Sequence, residues 1–169
     1  MATELYDLTV PVFLRGFKAM AAFLEKARAH ADEHGIAHDE LLAARLYEDM
    51  SPLTSQVQRA SDSAKFAVAR LAAITPPAMS DTEASFDELQ ARIAATVDFL
   101  NSVARDAIDG REDSDVELKT RSDSFPFKGR GYVLDFALPN FYFHVTTAYD
   151  ILRHKGVPLG KRDYLGGMG

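Results

Sequence analysis

Residues 138–157 read LPNFYFHVTTAYDILRHKGV, and the fold turns on whether they form a buried helix. Phe141, Val145, Ala148, Tyr149 and Leu152 recur at spacings of three and four, the period that gathers side chains on one helical face. Leu134 and Leu138 extend the stripe backwards, so the spacing predicts a helix from about Arg130 to His154, with Gly156 as its stop. Pro139 falls inside it. Proline has no N–H for the carbonyl of residue 135, so a bend is expected there. Two polar residues share this apolar element: Asn140 and His144 lie one turn apart and project from the same side, beside Phe141 and Ala148.

Three more stretches carry the same period. Between Asp7 and His34, the residues Leu8, Val12, Phe13, Phe17, Met20, Ala21, Leu24 and Ala27 make a core-facing stripe, with Pro11 near the start and Gly35 at the end. A polar connection with one turn of helix around Leu41 and Leu42 follows. The segment MSPLTSQVQRASDSAKFAVARLAAI then places Leu53, Val57, Ala60, Ala64, Val68 and Leu71 on one face, with Ser51 as cap and Pro52 in the first turn. Its many small residues would let a neighbouring helix come close. Pro76 and Pro77 end it. Ser85 and Glu88 have the reciprocal spacing of a capping box, and Phe86, Leu89, Ile93, Val97 and Leu100 follow until about Ala104.

Residues 105–128 break the pattern. Val116 and Leu118, then Phe125 and Phe127, alternate on either side of TRSDS, which fits a small β-hairpin or a long loop. So long a connector in a compact bundle is expected to cover something. The tail VPLGKRDYLGGMG is glycine-rich and reads as a surface segment with a frayed end. Four amphipathic helices joined by shorter and longer links imply an all-α four-helix bundle, one domain over residues 1–169.

Bulk properties bound the function. The chain has 169 residues and a formal net charge of -6, the wrong sign for non-specific binding to nucleic acid or an anionic membrane. There is no cysteine, hence no disulfide, no thiolate ligand and no thiol nucleophile. The N-terminus MATELYDLTV is acidic where a signal peptide is basic, and charges interrupt every apolar run short of a membrane span, so a cytoplasmic protein is expected.

In order and wording, LYDLTVPVFLRGFKAM, SPLTSQVQRASDSAKFAVARLA and LPNFYFHVTTAYDILRHKGVPLGKRDYLG resemble a bacterial family known as a domain of unknown function, DUF1993. That family is similar to the DinB/YfiT-like superfamily of four-helix bundles, many of which are assigned as metalloenzymes. The resemblance implies a homodimer. It also implies a divalent nickel or zinc ion held by three histidines, one on the second helix and two in an H-x-x-x-H motif on the last. Characterised relatives include thiol-dependent transferases and isomerases. Laid on this chain, the last-helix pair falls on Asn140 and His144, and the second-helix ligand falls on Gln56.

Carboxamide oxygens are poor ligands for nickel or zinc, so two of the three positions depart from the pattern and no bound metal is expected. If a metal is present, its ligands would be His144, Asn140 and Gln56, with Asp49, Asp62 or Asp135 able to assist. Three readings of His144 stand: a metal site, an imidazole satisfied by Asn140 and Gln56 in the core, or a polar pocket for a small ligand formed by Gln56, Asn140, His144 and Tyr142. In the pocket reading His144 could act as a general acid or base. The alternative is a metal-dependent enzyme of the transferase or isomerase kind. His30, His34 and His38 are spaced like ligands but lie across a helix end in polar surroundings, so solvated surface is expected. His154 suits the last turn of its helix. The GKR cluster at 160–162 and EDSD at 112–115 read as solvated, and Tyr132 and Tyr149, like Tyr142, as pocket or packing residues.

Overall fold

Four long helices carry the fold: α1 (Val10–His34), α3 (Leu53–Ala72), α4 (Phe86–Ser102) and α6 (Leu138–His154). The structure, a computed structural model, describes residues 4–120 and 122–167. α1 and α3 stand diagonally opposite, each flanked by α4 and α6. This arrangement accounts for the connection lengths. α3 and α4 are neighbours and need only residues 73–85. A step from α1 to α3, or from α4 to α6, crosses a diagonal of the bundle end and needs a longer crossover. The first crossover contains the short helix α2 (His38–Leu42); the second contains a single turn at Arg105–Ala107 and an antiparallel hairpin, β1 (Asp115–Lys119) and β2 (Ser124–Lys128).

Val116 pairs with Phe127 and Leu118 with Phe125, so the four alternating apolar residues share one face of the hairpin. Its turn is closed by the Thr120 N–H donating to the Asp123 carbonyl at 2.8 Å. Arg121, part of the expected turn, lies outside the described residues, as do Met1–Thr3 and the last two residues of the tail. The hairpin runs directly into helix: α5 (Gly129–Gly131), a wide π segment (Tyr132–Ala137) and α6 follow one another without leaving helical dihedrals. Gly129 is required at the junction, because a Cβ there would overlap the Arg111 carbonyl. The core joins all four long helices. Phe141 meets the rings of Phe13 and Phe17 edge-on at centroid distances of 4.9 and 5.2 Å, in space left open by Gly16.

The structure corrects several expectations. The bend expected at Pro139 takes the form of the π segment just before it; the wider turn absorbs the missing N–H and makes room for the ring. That change of pitch also moves Leu134 off the inner face, where it is 42% exposed. Pro52 itself is the N-cap of α3, and Ser51 does not cap; its carbonyl accepts from Gln56 Nε2 at 2.9 Å. Ser85 caps α4 as expected, but the Glu88 carboxylate accepts from Ala84 N–H rather than from Ser85. The tail is no loose surface strand over its described length: Val157 and Leu159 are buried, and α7 (Lys161–Leu165) packs on α1 through a Lys26–Asp163 ion pair of 2.6 Å. Among the described residues no helix is long and apolar enough to cross a membrane.

Candidate functional site

Between α3 and the π segment with α6, the bundle opens a cavity of about 190 Å³ lined by Arg59, Asp62, Ser63, Phe66, Arg70, Leu118, Tyr132, Phe136, Asn140 and His144. Two helical stripes build it. On the last helical run the lining residues are Tyr132, Phe136, Asn140 and His144, each four positions after the one before. In a pure α-helix that spacing drifts by about 40° per step, and the under-wound π segment turns the first members back. On α3 the stripe is Arg59, Ser63, Phe66 and Arg70, spaced by four, three and four. Leu118 of β1 closes one edge, so the long excursion does reach over the cavity.

His144 is 7% exposed, and its Nδ1 lies 2.8 Å from Gln56 Oε1. The geometry fixes the tautomer. Gln56 Nε2 donates to the Ser51 carbonyl, so the oxygen of that amide faces the ring, and an oxygen can only accept. Nδ1 therefore carries the proton and donates, leaving Nε2 as a bare acceptor. Burial, with the Arg59 guanidinium adding to it, pushes the His144 pKa down to about 4, so the ring is neutral around pH 7.

Gln56 is 2% exposed and sits behind His144 instead of lining the cavity. Asn140 does line it, and its Nδ2 donates to Ser63 Oγ at 2.7 Å; Ser63 in turn donates to the Arg59 carbonyl. Tyr142, expected in the same pocket, lies elsewhere. On a helix the residue two positions before His144 points away from it. Tyr142 lines a separate hollow with Arg15, Gly16 and Tyr164, and its hydroxyl accepts from Arg15 at 3.2 Å.

The three positions proposed as metal ligands do not form a tridentate set. Gln56 Oε1 is taken up by His144 Nδ1 behind the cavity; among the described residues His144 Nε2 and Asn140 Oδ1 carry no hydrogen bond, Asn140 being tied to Ser63 through its Nδ2. Among the described residues no three His, Cys, Asp or Glu side chains cluster to hold an ion. Asp49 and Asp135 are exposed. Asp62 does face the cavity, but its carboxylate already holds Lys65 at 3.0 Å and Arg92 at 3.1 Å. His30 and His34 stack on each other at the end of α1, and His38 pairs with Asp32 at 2.8 Å, all away from the cavity.

Sequence reasoning missed the charged members of the site. Arg59 and Arg70 lie off the apolar stripe of α3 and match no motif; the one signal in the sequence is that they share a second stripe at helical spacing with Ser63 and Phe66. Arg70 donates to the Tyr132 hydroxyl at 2.8 Å and stacks near the rings of Phe66 and Tyr132. Burial raises the pKa of Tyr132 against the pull of that guanidinium.

No curated protein shows significant similarity to the chain. A solved structure of a DinB family member protein from Shewanella denitrificans is 39% identical, with a TM-score of 0.89, covering 97% of this chain and 93% of that one. Residues 5–165 match the family described as Domain of unknown function (DUF1993). With that match spanning nearly all of α1 to α7, and a bundle so close to that of a DinB family member, the chain belongs to the DUF1993 family and has a DinB-like fold.

Proposed function

We propose that this DinB-like protein binds a small polar ligand in the cavity beside His144, and does so without a tightly held transition metal. One observation carries the reading: His144 is locked through Nδ1 onto a buried glutamine, which aims a neutral imidazole with an unpaired Nε2 at a cavity. Satisfying one ring nitrogen while leaving the other open is what a binding group needs; a purely structural histidine would find partners for both. The same Nε2 can accept a proton from a bound molecule, so general-base chemistry by His144 is compatible with the site. The donor chemistry argues against nickel or zinc, since one imidazole and two carboxamides, one of them with its oxygen already bonded to the ring, are a weak ligand set.

Elemental analysis of untagged protein, combined with ¹⁵N NMR of the His144 ring, tests this. Substoichiometric metal and a ring protonated at Nδ1 are expected. A full equivalent of nickel or zinc that disappears in His144→Ala would establish the alternative, a metal-dependent enzyme. The protein is also proposed to pair with a second copy of itself: Leu134 and Phe143 stand exposed on the last helical run, where apolar side chains gain most from a partner. Light scattering that gives a monomer mass at every concentration would remove that part.

A further inference from the structure

We propose that the ligand is a small oxyanion, a carboxylate or a phosphate, that also carries a hydrogen-bond donor. The anionic end would lie against Arg59, and the donor would face His144 Nε2. This rests on the pocket reading above and adds the chemical class.

The charge of the cavity stands apart from that of the chain. Overall the protein is acidic, at -6. Around the cavity the balance reverses: Arg59 and Arg70 line it, and its one lining carboxylate, Asp62, is already matched by Lys65 and Arg92. Arg59 has no carboxylate partner among the described residues, and Arg70 spends only one nitrogen, on the neutral hydroxyl of Tyr132. Eleven residues of α3, about 16 Å of helix, separate the two, so a small oxyanion would sit against Arg59, whose planar fork matches its oxygens, while Arg70 adds positive field from the far end of the cavity. A cationic ligand would meet them unshielded.

His144 supplies the second condition. Its bare Nε2 is a lone pair, which repels an anion's oxygen and welcomes an O–H or N–H. Burial and Arg59 both keep the ring from protonating, so it does not become a third cation near neutral pH. Asn140 spends one N–H on Ser63 and keeps a second for an oxygen. Taken together these groups favour a hydroxy acid or a monoprotonated phosphate over a simple carboxylate.

The test is an NMR titration of the full-length, isotope-labelled protein with glycolate, inorganic phosphate, acetate and glycolamide. Saturable shifts at Asn140 and His144 with glycolate or phosphate are expected, with acetate weaker. Whichever of the two saturates at the lower concentration tells carboxylate from phosphate. Arg59→Gln, at an exposed position where the fold tolerates the change, should weaken the tighter probe by about tenfold or more. Unchanged affinity in Arg59→Gln would overturn the proposal, as would glycolamide binding as tightly as glycolate, although in that second case the pocket reading would survive. If no probe shifts the cavity residues, both readings fall.

Discussion

Arginines stand at both flanks of α3, one from α4 and two of its own, and the flanks differ in how those charges are met. Towards α4, Arg92 is 4% exposed and enclosed by carboxylates: Asp62 at 3.1 Å, Asp81 at 2.9 Å and Glu83 at 3.0 Å, with Ser80 and Gln58 carbonyls beside them. Lys65 is 2% exposed and joins the same Asp62. Towards α6, Arg59 and Arg70 face a cavity with their charge largely unanswered. A buried cation surrounded by acids holds elements together, here pinning the 79–84 connection to α3 and α4. A cation beside a hollow and short of partners is available to something else. Residue type does not separate these roles; the number of carboxylates within reach does.

The sharpest way to break this comparison is Arg92→Leu. It leaves Asp62, Asp81 and Glu83 facing one another around a partly desolvated space, and we expect a loss of about 3 kcal/mol in urea unfolding. A loss near zero would mean that the acidic cluster relaxes into water and that the α4 flank is not structural.

The next effect is acid sensitivity from His144. Its folded pKa of about 4 lies below the ordinary 6.5, so the unfolded chain binds a proton that the folded one refuses. Stability from this residue is fully present above about pH 6.5 and is lost as pH falls towards 4, by about 3 kcal/mol in all. Unfolding free energies measured across that window should have a steeper slope in the wild type than in His144→Gln. Equal slopes would place the imidazole in water.

A smaller effect is expected from Asn140→Ala, which removes the bond to Ser63 at a half-buried site and should cost about 1 kcal/mol. The smallest is Arg59→Gln, expected to change unfolding by less than about 0.5 kcal/mol. The contrast between Arg92→Leu and Arg59→Gln in urea is the comparison in experimental form. If Arg59→Gln proved as damaging as Arg92→Leu, both flanks would be structural.

Much of the fold was legible because helix burial leaves a period in the sequence. The stripes on α1, α3, α4 and α6, the stop at Gly35 and the Ser85 cap follow from local chemistry. Alternation put Val116 with Leu118, and Phe125 with Phe127, on one face of each strand and left a small hairpin or a long loop open; the structure shows the hairpin and its register. Of the site, His144, Asn140 and Gln56 were legible as polar residues on apolar faces. Tyr142 was misplaced because nearness in sequence was taken for nearness in space. Arg59 and Arg70 escaped because arginines on a helix are usually solvated, and the stripe they share does not itself show that a neighbouring hairpin and π turn will border it.

The period of the apolar residues and the placement of glycine and proline determined the elements themselves, since each depends on contacts within a few residues. Only the tertiary structure decided that Gln56 would turn its oxygen to His144, that Asp62 would be claimed by Lys65 and Arg92, and that Arg59 and Arg70 would be left facing a hollow. Those outcomes are competitions among partners far apart in the chain, and they are settled by which side chains the packing of four helices brings within reach.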